Sequence, residues 1–515
     1  MKKVTALFLV MTMLLSLTAF GAFAESQPTV LRIACENEPA HLDTQVITND
    51  CVSMISQHIF ETLYTYDEDY NVVPMLAESD ETTDDGKMVT ITLRQGVKFH
   101  NGKEMTAEDV YASLNRWFEY GSRSSQIKAY LEKLEVKDAS TIVMTFAQPY
   151  SAWKNLFAFI NGGPAIYPSE VMEGATKTAL TEEQYIGTGP YRFVGHEAAR
   201  YFLLEKFEDY TPRTEAASGL AGARLAGFDQ LMFIPVTNAS TRINGLLAGD
   251  YDYIRIATGD MYYDLSANSN LVVTINKGSK MPLMFFNSKD RVFANNYKLR
   301  QAVLAALNME EILAIAIGPE ELWSLNGSIN PEWNQFYSEK GVDKFNQANP
   351  ELAAQLAKEA GYNGEEIVIL INNSHQMHID CCTVIEQQLE KAGFNVTCER
   401  LDAAAQQAKR ADASQWDIHF THHIFSPEPI IYNWMNSGYA GWWDSEEKNA
   451  LVSEYVGATT DEEKIAAWEK IQELTYEQIP VIKMGDSYEY DVYAKGLEGF
   501  AERAPIWPHF WGVTR

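Results

Sequence analysis

An α/β architecture is what this sequence predicts, and three observations carry the prediction. Segments with helical spacing alternate with short strands along the whole chain, the pattern of mixed sheets rather than of a bundle or a sandwich. Residues 367–400 read strand, helix, strand, which implies a parallel pair joined by a crossover helix. The composition is ordinary for a globular protein: 515 residues, 46% hydrophobic and 22% charged, enough chain for about three domains. Charge narrows the function classes. With 41 Lys+Arg against 70 Asp+Glu the net charge is −29. Nucleic-acid phosphates and anionic headgroups would repel such a surface, so no nucleic-acid partner is expected.

The elements follow in order. Lys2 and Lys3 precede an uncharged apolar run from Val4 to Phe23, ending Ala22-Phe23-Ala24. This is the design of a secretory signal peptide cleaved near Ala24, and the expectation is an exported chain, soluble after cleavage. The run also approaches the length of a membrane anchor. Leu31–Ala34 reads as a first strand, with Pro39 in the loop beyond it. Thr48 or Asn49 starts a helix with Val52, Ile55, Ile59 and Leu63 at helical spacing. Val89–Leu93 alternates as a strand, and Thr106-Ala107-Glu108-Asp109 opens a helix as a capping-box variant. The turn cluster Gly187-Thr188-Gly189-Pro190 launches two aromatic-rich strands, Tyr191–Val194 and Tyr201–Phe207.

In the second half, Leu283–Phe286 is a strand and Asn295-Asn296 caps a helix spanning about Tyr297 to Ile317. Asn349-Pro350 starts a further helix, with Pro at its first position, and Gly361 stops it. Ile367–Ile371, a helix from about Asp380 to Ala392, and Asn395–Arg400 make up the crossover unit. Ile479–Met484 is extended, and the terminal Trp507, Phe510 and Trp511 read as core.

Chemistry is sparse. There is no Gly-x-Ser-x-Gly elbow and no phosphate loop, and His196-Glu197-Ala198-Ala199-Arg200 has Arg where a second zinc ligand would have to be. No catalytic residue, metal site or cofactor is therefore assigned. Five cysteines, at 35, 51, 381, 382 and 398, leave Cys35–Cys51 and Cys382–Cys398 open as pairings. Two histidine groups look chemical: His375 and His378, placed in a loop after the Ile367–Ile371 strand, and His419, His422 and His423 after a second strand. Imidazoles suit transition metals. They equally serve as hydrogen-bonding loop residues, or face a ligand at the carboxyl ends of parallel strands, where open α/β sheets bind ligands.

Leu93-Arg94-Gln95-Gly96-Val97-Lys98-Phe99-His100-Asn101-Gly102, continuing through Met105–Val110, resembles the signature of the peptide/nickel solute-binding proteins of bacterial ABC importers, family 5. Gly187–Phe193, Phe286-Asn287, Lys298–Val303 and Asn349-Pro350 through Gly361-Tyr362 extend the resemblance from about Val30 to the C-terminus. It implies a two-lobed periplasmic-binding-protein-like fold of the large type II class. After a leader at 1–24, lobe one would comprise 25–70, 185–280 and 485–515, with 71–184 as an added subdomain, and lobe two would be 281–484. Chain crossings at Met281-Pro282 and Met484-Gly485 would form the hinge.

The implied function is capture of a peptide or similar small organic solute, delivered to permease subunits by a periplasmic or cell-envelope monomer that is not an enzyme. Ligand contact is expected first from Asn37-Glu38-Pro39 and Thr421–His423, together with His375 and His378. The acidic anchor that some family members use for a peptide ammonium falls on Phe425 or Ser426 here. The arginine that dipeptide binders use falls on Ile379 or Asp380, so both charged anchors are missing. Trp434, Trp442 and Trp443 could stack on a ligand or belong to the core. The alternatives are a metal-chelate, haem or oligosaccharide carrier of the same fold and, in a different class, an exported hydrolase.

Overall fold

The computed structural model describes residues 27–255, 258–501 and 507–515. The leader expected at 1–24 lies outside them. Strand β1 (Val30–Cys35) leads through the Pro39 loop to helix α1 (Asp50–Ser56), whose cap Asn49 accepts the Val52 N–H. The helix is shorter than its apolar spacing suggested. Ile59 and Leu63 are buried, but in irregular chain beyond Ser56. The reason is local: the Ile59 carbonyl accepts the Gly189 N–H and the His58 carbonyl accepts that of Tyr191. Backbone comes so close there that a Cβ on Gly187 would lie 2.0 Å from the Ile59 oxygen. The turn cluster seen in the sequence is thus a clamp on the end of α1.

A hairpin of β2 (Tyr64–Tyr66) and β3 (Val72–Pro74) precedes a separate antiparallel sheet. Its strands are β4 (Ala77–Thr82), β5 (Met88–Leu93), β6 (Leu131–Asp138) and β7 (Thr141–Phe146), in the order β4-β5-β7-β6. Helix α2 (Ala107–Tyr120) packs on it. Asp109 accepts both the N–H and the hydroxyl of Thr106, each at 2.9 Å, which is the expected cap.

The main sheet path begins with β8 (Tyr191–Glu197), β9 (Tyr201–Lys206) and β10 (Gln230–Pro235), followed by helix α3 (Ala239–Ala248), β11 (Tyr253–Ile254) and the long β12 (Leu271–Phe286). The second half adds α4 (Tyr297–Ala306), α5 (Met309–Ala316), β13 (Trp323–Ser324), α6 (Pro350–Glu359), β14 (Glu366–Asn372), α7 (Gln376–Lys391), β15 (Asn395–Leu401), α8 (Ala403–Arg410), β16 (Ile418–His423), α9 (Glu446–Gly457), α10 (Asp461–Gln478), β17 (Val481–Lys483) and β18 (Asp486–Ala494). The single helix expected over Tyr297–Ile317 is two helices. Leu307 is extended, and the Asn308 side chain accepts the Glu311 N–H as a second cap.

One strand path runs β15-β14-β16-β12-β18-β11-β1-β10-β9-β8. It is two sheets sharing β12. Leu271–Asn276 pair antiparallel with β18, register slips between Asn276 and Lys280, and Met281–Phe286 pair with β16. A slip of this kind bends the strand and increases its twist. The return path is β17, which pairs with β12, then Met484-Gly485, then β18. Met281-Pro282 and Met484-Gly485 therefore lie where the chain passes from one sheet to the other. The expected parallel unit is present, β14 pairing in parallel with both β15 and β16.

The C-terminal aromatics close the first sheet's core, with Trp507, Phe510 and Trp511 all buried. All five thiols are free, so neither pairing left open by the sequence is formed. Cys35 Sγ faces the Ile234 and Asn37 carbonyls and Cys398 Sγ faces the Cys382 carbonyl. No helix among the described residues is long and apolar enough to cross a membrane.

Candidate functional site

The carboxyl ends of β1, β14 and β16 converge on one cavity of about 720 Å³, the place where sheets of this kind present loops to ligands. Glu36 and Asn37 follow β1, Ser374 and His375 follow β14, and Thr421–His423 end β16. Asn49 and Asp50 at the start of α1 and Arg123, Phe159 and Asn161 also line the cavity. Lys280, on the shared strand, lies at the junction.

Period-two alternation divides the histidines of β16. His419 and His423 face one side. The His419 ring stacks on Phe285 at 4.9 Å, its Nε2–H donates to the Ala440 carbonyl, and His423 Nε2 is 3.2 Å from the Tyr439 hydroxyl. His422 faces the other side, towards α7, where its Nδ1 is 2.8 Å from His378 Nε2. With His375 they form a cluster of three imidazoles, ring centres 4.8–5.1 Å apart. Desolvation holds all of these rings neutral, pulling His378 and His423 down to about 3 and His422 well below its usual value. For His422 and His378 the nearby Lys280 ammonium acts in the same direction. Among the described residues no group of three or more His, Cys, Asp or Glu is arranged to hold a metal ion. His378 and His422 spend their facing nitrogens on each other.

The structure redistributes the expected site residues. Asn37, His375, Thr421, His422 and His423 line the cavity. His378 lies in the first turn of α7 rather than in a loop, with His375 as the cap residue, because the helix starts at Gln376 and not near Asp380. His378 is buried behind His375 and His422. Glu38 turns away from the cavity: it accepts the Ala199 N–H at 2.9 Å and pairs with His196 at 2.7 Å. Phe425 is buried in an aromatic group with Trp333 and Tyr70. Trp434 is buried and stacked between Tyr432 and Trp443.

Arg123, Asn161, Lys280, Arg410, Tyr432 and Tyr439 line the cavity without having been singled out in the sequence. Arg123 follows α2 in Gly121-Ser122-Arg123-Ser124, and Arg410 ends α8. Neither carries a motif. Their only local signal is a cation in a turn or at a helix end.

Around the rim the charges are mostly matched. Arg255 pairs with Glu36 and with Glu489 at 3.4 Å, with Asp50 at 4.0 Å. Lys280 pairs with Glu489. A seam of direct contacts separates this cavity from a second one of about 900 Å³, lined by Trp333, Asn334, Glu428 and Lys464 on one side and Asp69, Asn71 and Lys154 on the other. Across the seam Asn155 donates to Glu428 at 2.8 Å, Ser151 to Tyr455 and Val456, and Gln126 to the Ile431 carbonyl. Burial pushes the Glu428 carboxyl up, although Lys464 and the Tyr455 hydroxyl favour its charged form.

The family described as bacterial extracellular solute-binding proteins, family 5 Middle, matches residues 71–443. A probable peptide ABC transporter periplasmic-binding protein, y4tO of Sinorhizobium fredii, is 26% identical over 86% of this chain and 85% of its own. The glutathione-binding protein GsiB of Salmonella typhi is 23% identical over 94% of each. The binding protein AgaA of A. tumefacien R10, solved with agropinic acid, superposes with a TM-score of 0.79 at 22% identity, covering 94% of this chain and 98% of that one. That last likeness shows the fold.

Proposed function

Because this chain belongs to the bacterial extracellular solute-binding proteins of family 5, whose members are the substrate-binding components of ABC importers and not enzymes, we propose that it captures a peptide in the 720 Å³ cavity and delivers it to permease subunits. One observation carries the reading. The cavity is walled by groups from both sheets, while only β12 and the Met484-Gly485 link join those sheets in sequence. A ligand touching both walls stabilises the approach of one to the other, which couples occupancy to shape. The relatives y4tO and GsiB, named for peptide transport and for glutathione, direct the choice of solute to peptides.

In this reading lobe one is 25–70, 185–280 and 485–515, the segment 71–184 is its added subdomain, and lobe two is 281–484. Met281, Pro282, Met484 and Gly485 absorb the rotation between the lobes. Asn37, His375, Thr421, His422 and His423 contact the solute directly, and His378 orients His422. The chain works outside the cytoplasm, after loss of the segment up to Ala24, as a monomer.

The test is calorimetry and thermal denaturation of the chain lacking residues 1–24 with reduced glutathione and with alanine peptides of two to five residues, alongside mass spectrometry of whatever co-purifies. A bound peptide at a hundredfold excess over its Kd stabilises the fold by about 2.7 kcal/mol. If no peptide raises the melting temperature and none co-purifies, the peptide reading is overturned.

A further inference from the structure

Five charged side chains line the cavity: Glu36, Asp50, Arg123, Lys280 and Arg410. Three are compensated by the protein itself. Glu36 pairs with Arg255, Lys280 pairs with Glu489, and Asp50 accepts the Trp507 indole N–H at 3.1 Å with Arg255 at 4.0 Å. The two arginines have no such direct pair, although the Asp50 carboxylate favours the charged form of Arg123 through space. Among the described residues neither Arg123 nor Arg410 has a carboxylate within ion-pair distance.

Arg123 is only 8% exposed. Its Nε donates to the Asn161 carbonyl at 2.7 Å and its Nη2 to Asn161 Oδ1 at 3.2 Å, both neutral acceptors. Its guanidinium lies 4.9 Å over the Phe159 ring, and Nη1 has no partner among the described residues. Burial lowers its pKa to about 10, so it remains a cation at neutral pH. Arg410 comes from the end of α8, on the second sheet's side, 5.6 Å over the Tyr439 ring. Both line the same cavity as His423, whose Nε2 is 3.2 Å from the hydroxyl of the Tyr439 ring that Arg410 covers. A buried cation with no carboxylate in direct contact is costly unless something pairs with it. The planar fork of a guanidinium matches a carboxylate. That a chain of net charge −29 keeps two arginines without a direct ion pair on one cavity sharpens the contrast.

We propose that the solute presents a carboxylate to Arg123, with Arg410 closing on the same group from the second sheet's side. This rests on the solute-capture reading and adds its charge requirement. Neither residue occupies either of the charged-anchor positions that the sequence lacks.

The test is calorimetry of the chain lacking residues 1–24 with three matched pairs: trialanine and trialaninamide, reduced glutathione and its diethyl ester, citrate and trimethyl citrate. At least one acid is expected to bind roughly 30-fold or more tightly than its neutral partner, the scale for a buried charge pair losing one member. Arg123→Gln should shrink that ratio to about threefold, Arg410→Gln should shrink it partly, and Arg123→Lys, which keeps the charge but not the fork, should shrink it less than Arg123→Gln. Melting temperatures near that of the parent chain establish that the variants fold. Equal binding of acid and neutral partner, or a ratio that survives Arg123→Gln, overturns the carboxylate assignment and leaves peptide capture standing. Citrate-only, acid-dependent binding does the reverse. Failure of all three acids to bind overturns the assignment as well.

Discussion

His58 gives a pH dependence whose size can be worked out from its contacts. The ring is fully buried between Phe510, stacked at 5.6 Å, and Trp511, Tyr191 and Phe233. The Phe510 N–H donates to Nε2 at 2.9 Å, so Nε2 must hold a lone pair, and Nδ1–H donates to the Met54 carbonyl at 2.9 Å. A second proton would abolish the acceptor and place a charge in the aromatic core. Burial accordingly pulls the pKa to about 3 from 6.5, helped by His509. A folded-state value below the unfolded one means that the unfolded chain binds the extra proton first. Stability is therefore full above pH 6.5 and is lost progressively as pH falls towards 3. At pH 5.5 this one residue costs about 1.4 kcal/mol relative to pH 7.5. The assay is urea unfolding followed by tryptophan fluorescence at both pH values, on the parent chain and on His58→Gln. The variant is less stable at pH 7.5, having lost its ring contacts, yet its further loss on acidification should be about 1.4 kcal/mol smaller. Equal acid losses in the two chains, or a His58 NMR resonance titrating near 6.5, would refute the reasoning.

Three further outcomes are expected. Gly485→Ala puts a Cβ 2.6 Å from the Ser324 carbonyl at a φ of +143°, which should cost roughly 1–3 kcal/mol. An unchanged melting temperature would show that the link yields freely. Asn155→Ala removes a donor from the buried Glu428 carboxylate, a loss of roughly 1.5–3 kcal/mol from the seam. Small-angle scattering without ligand should then report a larger radius of gyration, and an unchanged curve counts against a latch at Glu428. Four cysteines are buried, and burial raises the Cys398 thiol to about 12. The native chain should therefore react with a thiol reagent at one site at most, and slowly, but at five sites once unfolded. Prompt reaction of two or more native thiols would contradict the packing.

Local signals in the sequence located most elements, and long-range ones located few contacts. Asn49 and Asn349 each mark a helix start through a side chain that accepts an orphan N–H three residues on, and at Thr106 the Asp109 carboxylate accepts the cap residue's own N–H, signals contained within four residues. Asn308 carries the same signal, with Glu311 at the matching position, and it explains the break that the run from Tyr297 to Ile317 concealed. The extent of β12 was hidden for the opposite reason. Lys277-Gly278-Ser279-Lys280 has turn composition, but Asn276 and Lys280 at its two ends pair with Glu489 and Ser487, some 200 residues later in β18.

The cavity residues divide in the same way. Thr421–His423 were reached through the family resemblance, with the histidines already conspicuous beside a short strand. Arg123 and Arg410 were not, because what distinguishes them is the lack of a direct ion pair, and a missing partner is a property of three-dimensional surroundings. Glu38 belongs to the right loop but points away, since His196 and the Ala199 amide hold it from the far side.

The place of β18 in the first sheet, between β12 and β11, has a consequence for biosynthesis. A chain threaded outward from its N-terminus completes the second sheet once β17 has emerged at Lys483. The first sheet, although it begins at Val30, still has a gap that only residues 486–494 can fill. Until then β11 and β12 present unpaired edges. The part of the protein made first is thus the part finished last, and the final thirty or so residues act as its keystone. Truncation after Lys483 should leave the later-made sheet intact and the earlier-made one unable to close.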